Sequence, residues 1–282
     1  MRWDFGDVYK KIRESKGLTQ QEVCGGVISR TSLAKIEANQ RIPSFENMIF
    51  LLNQIDMTLE EFHYICHYYK PSKRQEIINT VKNKVILTET KELEAIKKLC
   101  QDYLAIHHDL PIQHINERLT IFLEMRKNGP QSKDKEFRET VKTIWTYLEK
   151  EDNWYFSDLQ LLNAILFHFP IESLPIVTDR LLNSLKKYKD YTTTKPIELV
   201  ILTNLATIYL HNNLEKECEK ITKLTLELAK NLKRYDSLAL SQVRLGICRK
   251  DDELIKKVLE LLSLTEETAL LETMEEEIKN FR

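Results

Sequence analysis

The sequence predicts an all-α protein, on three observations. Glycine and proline interrupt helices, yet they number only six and seven in 282 residues, and four of the glycines precede residue 27. Apolar residues then recur at helical spacing in one segment after another, with short loops between them. Three of these segments align with one another at a period of 40–41 residues. We therefore expect a small helical unit followed by an α-solenoid, a series of stacked helix pairs.

Composition excludes several other classes. With 42% hydrophobic and 30% charged residues, the chain is not disordered, and no apolar run approaches the ~20 residues that cross a bilayer. Residues 1–5 are charged and lack the apolar core of a signal peptide, so we expect a cytoplasmic protein. The five dispersed cysteines form no Cys-x-x-Cys pair. This pattern indicates reduced, mostly buried thiols rather than a disulfide or zinc framework.

Three of the five helices predicted in the N-terminal unit follow from periodicity and caps. The first ends near Gly17, another begins at Pro43–Ser44, and a capping box of Thr58 and Glu61 begins the last. Pro71 ends the unit. The apolar residues on the inner faces of these helices are Phe5, Val8, Tyr9, Ile12, Met48, Ile49, Leu52, Phe62 and Ile65.

The other two helices are short and adjacent. Thr19 and Glu22 form a capping box that begins one helix at the next residue, and Gly25-Gly26 breaks it. Ser29 then caps a helix that runs to about Ala38. Two short helices joined by a tight glycine turn form a helix-turn-helix, whose second helix enters the DNA major groove. Residues 1–43 carry eight Lys and Arg against five acids, a mild basic excess that fits this role.

Several side chains of this motif are candidates for contact with DNA. Arg30, Thr31 and Lys35 are the outward positions of the second helix. An arginine there reaches O6 and N7 of guanine, and a threonine methyl contacts the methyl of thymine. The remaining candidates cap the helices or contact phosphates, and the full predicted set is Arg13, Gln20, Ser29, Arg30, Thr31, Ser32, Lys35, Asn39 and Arg41. The alternative for Lys35 is an ordinary solvated charge.

The rest of the chain predicts the solenoid. Amphipathic segments lie at about 113–127, 134–149, 157–168, 173–188, 196–211, 214–232, 237–249, 252–262 and 265–280. The aligned copies are LQLLNAILFHF, VILTNLATIYL and LSQVRLGICRK. The middle copy resembles a tetratricopeptide repeat through Leu205, Ala206 and Tyr209, although the period exceeds the ~34 residues of that repeat. It departs from the repeat where Cys218 and Thr225 replace small residues.

Equivalent positions of the three copies predict a groove for a peptide. They are Asn163, Asn204 and Arg244, and asparagine amides at such positions bond both N–H and C=O groups of an extended peptide. Phe167 and Ile208 lie one turn later and are expected to form an apolar floor. The alternative is that these residues only pack adjacent helices against one another.

The motifs GLTQQEV, ISRTSLAKIE, RIPSFENM and NLATIYL resemble the Rgg/GadR/MutR regulators of Gram-positive bacteria, with an XRE-like repressor-type helix-turn-helix over about residues 5–62. The resemblance implies a five-helix DNA-binding domain followed by a tetratricopeptide-like α-solenoid. It further implies a homodimeric transcription factor that binds promoter DNA and a short hydrophobic signalling peptide, as in quorum sensing. It places Arg13 and Glu37 at a buried ion pair, an alternative to DNA contact by Arg13. Some members join their DNA-binding domains by a cysteine after the recognition helix; Phe45 and its neighbours contain none, so we expect no such disulfide.

The expected domains are residues 1–70 for DNA binding, 71–90 as a linker helix, and 91–282 for regulation and dimerisation. Dimerisation would place two recognition helices one helical turn, about 34 Å, apart. Peptide would bias the dimer geometry through the linker. Two alternatives stay open: a repressor whose solenoid binds a protein partner, and a metalloprotein using His63 and His67, spaced i, i+4. No nucleophile, P-loop or dinucleotide motif is present, so we expect neither an enzyme nor a cofactor.

Overall fold

The computed structural model describes residues 4–83, 89–129 and 132–281. Over these residues the regular structure is helical and includes no strand, which confirms the predicted fold class. The chain divides into two compact units, residues 1–89 with 98–112 and residues 90–97 with 113–282. No helix in the described ranges is long and apolar enough to span a membrane.

The first unit has a core of apolar side chains from five short helices. Tyr9, Leu33 and Leu51 are fully buried there, and the Tyr9 hydroxyl donates to the Leu51 carbonyl at 3.2 Å. Burial raises the pKa of Tyr9, which keeps this donor neutral. The helices are α1 (Phe5–Ser15), α2 (Gln20–Cys24), α3 (Arg30–Glu37), α4 (Phe45–Gln54) and α5 (Leu59–Cys66).

Side-chain caps set where these helices begin. Thr19, Ser29, Ser44 and Thr58 each accept the backbone N–H of the residue three positions later. Each cap satisfies one of the backbone donors that a helix leaves unpaired at its N-terminus. The predicted helix starts are therefore confirmed to within one or two residues.

The predicted linker helix corresponds in part to α6 (Lys73–Asn83). Arg74 on this helix donates from Nε to Asp109 Oδ2 at 2.6 Å, and this bond helps to lower the pKa of Asp109. Residues 84–88 of the expected linker lie outside the described residues. The domain division at residues 70 and 90 stays a prediction.

The second unit consists of helices that pack against their neighbours along the chain. Trp154, Leu159 and Leu205 are among its fully buried residues, and Trp154 Nε1 donates to the Leu148 carbonyl at 2.9 Å. A 3₁₀ turn, Leu166–His168, directly follows the helix Phe156–Ile165, and the two together correspond to the segment predicted at 157–168. The helices that follow α6 along the chain are α7 (Thr90–Leu104), α8 (Leu110–Asn128), α9 (Lys135–Leu148), α10 (Phe156–Ile165), α11 (Leu174–Lys187), α12 (Lys195–His211), α13 (Glu215–Leu232), α14 (Tyr235–Arg249), α15 (Asp252–Leu264) and α16 (Thr268–Phe281).

Candidate functional site

Helices α2 and α3 have the geometry of a helix-turn-helix. Glu22 Oε2 accepts the Thr19 N–H at 2.6 Å, and the Thr19 hydroxyl accepts the Glu22 N–H at 3.3 Å, which completes the predicted capping box. Hydrogen bonds that the Thr19 N–H and the Thr19 hydroxyl donate to the Glu22 carboxylate lower the pKa of Glu22. Gly25 ends α2 with φ 52°, a left-handed conformation that favours glycine. The turn then leads to Ser29, the cap of α3.

Glu37 ties three helices of the unit together. Its carboxylate accepts Arg13 Nε at 2.6 Å, Arg13 Nη2 at 3.0 Å and Gln20 Nε2 at 2.8 Å. Arg13 and Glu37 are each 5% exposed, so the ion pair is buried. Arg13 Nη1 also donates to the Leu18 carbonyl at 2.6 Å. The bond to Glu37 raises the pKa of Arg13. One buried carboxylate therefore fixes α3 relative to α1 and α2.

A close backbone contact fixes the same, C-terminal end of α3. Asn39 follows the helix with φ 57°, a left-handed geometry that asparagine tolerates better than most residues, and its Oδ1 accepts the Gly6 N–H at 2.9 Å. A Cβ on Gly6 would lie 1.7 Å from the Ile36 carbonyl oxygen. Only glycine fits at this approach of α1 to α3.

The outward face of α3 is exposed. Arg30, Thr31 and Lys35 are exposed, as predicted, whereas Leu33 and Ile36 are buried in the core. Arg30 Nε lies 3.5 Å from Gln20 Oε1, the same amide that donates to Glu37. The buried network thus reaches the exposed guanidinium through the Gln20 side chain.

The other predicted contact residues divide into two groups. Arg13 is buried with its guanidinium occupied by Glu37, so the geometry supports the ion-pair alternative and we do not retain Arg13 as a DNA contact. Ser29, Ser32 and Arg41 lie at or near the surface; the Ser29 hydroxyl caps α3, and Arg41 Nη1 donates to Ser32 Oγ at 3.1 Å. Their contact with DNA stays a prediction.

The predicted groove residues form a polar ladder across alternate helices of the second unit. We define this polar ladder as Asn163 on α10, Asn204 on α12, Arg244 on α14 and Glu277 on α16. Asn204 Nδ2 donates to Asn163 Oδ1 at 3.0 Å, and Arg244 Nη1 donates to the Thr203 carbonyl at 3.0 Å. Arg244 Nη2 also donates to Glu277 Oε1 at 2.7 Å. The repeat therefore brings equivalent positions into one row.

The members of this row differ in how many hydrogen-bond donors and acceptors they leave unused for a ligand. An asparagine side chain has two N–H donors and one acceptor oxygen, so the bond between Asn163 and Asn204 uses only part of their capacity. Arg244 is 5% exposed and engaged by Glu277 and the Thr203 carbonyl. Ile208 is buried in the core, and the partly buried Phe167 side chain packs against that core. For Arg244, Ile208 and Phe167 the geometry favours the helix-packing alternative, and their contact with peptide stays a prediction.

The histidine pair of the metal alternative lies on α5. The His63 and His67 rings are 4.6 Å apart between centroids, and burial, followed by the neighbouring His67, lowers the pKa of His63. Within the described ranges, no three His, Cys, Asp or Glu side chains converge in a way that could hold a metal ion. Four of the five cysteines are buried, as expected.

Comparison with known families decides the identity. Residues 10–62 match the helix-turn-helix family, and residues 93–276 match the C-terminal domain of the HTH-type transcriptional regulator Rgg. The chain belongs to the Rgg family. This Rgg-family chain is thus a DNA-binding transcriptional regulator, and its family is one of regulators rather than enzymes, as the sequence motifs indicated.

Solved structures share the fold of this Rgg-family chain over its whole length. A transcriptional regulator from Listeria monocytogenes EGD-e is 17% identical with a TM-score of 0.71, covering 100% of this chain and 98% of that one. The SHP pheromone receptor Rgg2 of Streptococcus dysgalactiae is 14% identical with a TM-score of 0.67, covering 98% and 99%. ComR from S. thermophilus, solved with DNA and its signalling peptide ComS, is 14% identical with a TM-score of 0.65, covering 98% and 99%.

Sequence reasoning missed two members of these networks. Gln20 was assigned to phosphate, but its amide donates to Glu37. Glu277 was not singled out, although it lies three residues after the buried Met274 and four before Phe281, on the inner face of α16. A carboxylate at a core-facing position predicts a cationic partner, and this was the available signal.

Proposed function

We propose that this Rgg-family regulator reads promoter DNA through the exposed face of α3, and that a short hydrophobic signalling peptide bound along the polar ladder modulates that reading. The observation that carries the DNA half is the division of α3 into two faces. Arg30, Thr31 and Lys35 are exposed, while Glu37 on the opposite side holds the helix to its neighbours. A reading helix held this way presents its side chains in a fixed geometry.

Direct contact with bases is assigned to Arg30 and Thr31. A guanidinium pairs with guanine O6 and N7, and a threonine methyl packs on the methyl of thymine. Lys35, Gln20, Ser29, Ser32, Asn39 and Arg41 surround them and are assigned to phosphates or to positioning. Because the basic excess of residues 1–43 is only three charges, one copy contributes a weak electrostatic attraction. Two copies acting as a homodimer supply the affinity.

The peptide half is supported by the spare capacity of the ladder amides and by the relatives. Asn163 and Asn204 are half-buried, and their amides are arranged side by side with donors and acceptors to spare. Such pairs bond the backbone of an extended peptide without regard to its sequence. The structurally similar ComR was crystallised with both DNA and a signalling peptide.

Coupling between the two activities follows a population shift. A peptide that binds one arrangement of the dimer more tightly than another favours that arrangement by its difference in affinity. The regulator and its DNA then lie in the cytoplasm, where an imported peptide reaches both. Residues 71–90, of which 84–88 lie outside the described residues, are the proposed connection.

Fluorescence polarisation tests this function directly. A labelled duplex from the promoter of the chain's own gene is titrated with the full-length protein, with and without each of a panel of synthetic short hydrophobic peptides. We expect at least one peptide to bind saturably and to change DNA affinity. Asn163→Ala with Asn204→Ala should weaken that peptide about tenfold and leave peptide-free DNA affinity unchanged, as ~1.4 kcal/mol of lost hydrogen bonding implies.

Asn212→Ala is the matched control, because Asn212 follows α12 and its amide bonds only locally, to the Ile208 carbonyl at 2.8 Å. It should leave peptide affinity within twofold. If no peptide in the panel binds, or if the ladder variants equal the Asn212 control, the peptide half of the proposal fails. If the protein binds all DNA duplexes with equal affinity, the proposal that α3 reads promoter DNA fails.

A further inference from the structure

A cavity of about 740 Å³ lies in the second unit, beside α9 and the end of α10. Its volume is in the range of small-molecule sites in proteins, about 300–1,000 Å³. Phe137, Val141 and Trp145 form one wall, and their i, i+4, i+8 spacing places all three on the same face of α9. Ile165, His168 and Phe169 form the facing wall.

Aromatic contacts brace the two walls against each other. The Phe137 and His168 rings meet edge-on with centroids 5.0 Å apart, and the Trp145 and Phe169 rings do so at 4.8 Å. Edge-to-face pairs at these distances are favourable beyond their buried area. The cavity is therefore a preformed, largely apolar slot.

The rim of this slot is basic. Lys133, Arg138 and Lys142 line it and are exposed, and none of them pairs with a carboxylate in the described part of the chain. Arg138 Nη2 donates to the Lys133 carbonyl at 2.9 Å, which helps to orient the guanidinium. Three cations beside an apolar slot attract a ligand that combines an apolar body with negative charge.

His168 contributes its ring to the wall of the slot. Its Nε2 is buried and, over the residues that the structure describes, makes no hydrogen bond. Burial lowers the pKa of this imidazole, so its neutral form is favoured. A neutral imidazole leaves the positive charge of the site to the basic rim.

The slot is separate from the polar ladder. Successive residues of an α-helix are 100° apart, so Ile165 lies about 160° around α10 from Asn163, and no member of the ladder lines the slot. A ligand in the slot therefore approaches α10 from the side opposite to the ladder.

We propose that this slot binds a small amphipathic carboxylate, its apolar body against Phe137 and Trp145 and its charged end at the basic rim. This site is distinct from those for DNA and peptide, and the proposal does not depend on either. Charge and shape complementarity decide the class: the walls exclude a fully polar anion, and the rim disfavours an apolar cation.

Isothermal titration of the full-length protein with dodecanoate, below its micellar concentration, tests the proposal. We expect saturable binding, with dodecanol binding at least tenfold more weakly because it lacks the charge. 1-Naphthoate, titrated in parallel, shows whether an aryl body is accepted as well as an alkyl one; the slot should bind at least one of the two acids. Failure of both acids to bind would overturn the proposal.

Variants then locate the binding. Val141→Trp fills the slot and should abolish binding, and Lys142→Glu should weaken it at least tenfold. Lys135→Glu is the matched control, since Lys135 lies on α9 away from the slot with its side chain 88% exposed, and it should change affinity less than twofold.

Two results contradict the site even if an acid binds. If Lys142→Glu behaves like Lys135→Glu, the carboxylate is not held at the rim; this surface change needs no refolding of the core, so it stays informative where Val141→Trp does not fold. If a hydrophobic peptide displaces dodecanoate competitively and Val141→Trp abolishes peptide binding as well, the slot belongs to the peptide instead.

Discussion

Arg13 and Glu37 form a two-pronged ion pair between α1 and α3, with Nε–Oε1 and Nη2–Oε2 distances of 2.6 and 3.0 Å. The pair is inside the unit rather than at its surface, so its partners have exchanged water for each other. Burying both charges costs desolvation energy that the attraction largely offsets, whereas removing one charge leaves the other unpaired. The pair therefore acts mainly to specify where α3 lies.

Glu37→Ala should loosen α3 strongly. It leaves the Arg13 guanidinium buried without its carboxylate, a change that costs about 3–5 kcal/mol. Hydrogen exchange of the α3 amides, followed by mass spectrometry, should show faster exchange, while α12 amides are unchanged. Arg13→Met combined with Glu37→Leu should cost less than the two single changes together. Glu14→Ala is the control, because Glu14 contacts the same arginine from an exposed position, and equal loosening by it would contradict the account.

Gly6→Ala should separate α1 from α3. Its methyl group would lie 1.7 Å from the Ile36 carbonyl oxygen, a backbone atom that cannot rotate away. Overpacking of this kind typically costs about 1–3 kcal/mol. DNA affinity and protection of the α3 amides should fall together. Ser15→Ala on the exposed end of the same helix should change neither, and normal α3 protection in Gly6→Ala would show that the close approach is mistaken.

The Asn163–Asn204 bond should be measurable as an energetic coupling. Chemical unfolding, followed by the fluorescence of the buried Trp154, gives the free energies of the two single Ala variants and of the double variant. A hydrogen bond of this type contributes about 0.5–1.5 kcal/mol to the free energy of unfolding. The effect of the double variant should differ from the sum of the two single effects by that amount. If the single effects simply add up to the effect of the double variant, the two amides act independently.

Mild acid should destabilise the second unit. Burial lowers the pKa of His114 and His168 in the folded protein below their ordinary value of 6.5. The unfolded chain therefore binds more protons, so the stabilisation from these neutral rings is full above pH 6.5 and is lost as the pH falls through the folded pKa values.

Melting temperatures between pH 7.5 and 5, read from the fluorescence of Trp145 and Trp154, test this expectation. The double variant His114→Gln, His168→Phe should lose less stability over that interval than the wild type. Carboxylates that titrate nearby act equally in both proteins, so the difference isolates the two histidines. If the melting temperatures of the two proteins fall by the same amount between pH 7.5 and 5, the two histidines are not the cause of the acid sensitivity.

The helical architecture was predictable because local signals agree with the tertiary structure. Capping boxes such as Thr19 with Glu22, and apolar spacing such as Val8 with Ile12, act within a few residues of the chain. The repeat was readable for the same reason, and it predicted that Asn163 and Asn204 are equivalent. Their equivalence appears in the structure as a direct hydrogen bond.

The partners of polar side chains were harder to predict, since they depend on packing between distant segments. Gln20 lies 17 residues from Glu37, and Arg244 lies 33 from Glu277. Exposure of each side chain likewise depends on which helix covers it, so Arg244 and Ile208 were expected to be more accessible than they are. The slot beside α9 combines segments from residue 132 to 173, and no single stretch of sequence shows it.

The most direct test of the central claim, that α3 reads DNA, is a comparison of Arg30→Ala with Lys10→Ala. Both remove one exposed cation of the first unit, but only Arg30 lies on α3. The full-length wild type first selects a duplex from a random pool. Polarisation then compares both variants on that duplex and on a scrambled one.

Loss of a bidentate guanine contact costs about 1–3 kcal/mol, so Arg30→Ala should weaken binding to the selected duplex by about 5–150-fold and to the scrambled one far less. Lys10→Ala should weaken both duplexes slightly and equally. If the two variants lose the same affinity on the selected duplex, α3 does not read the sequence.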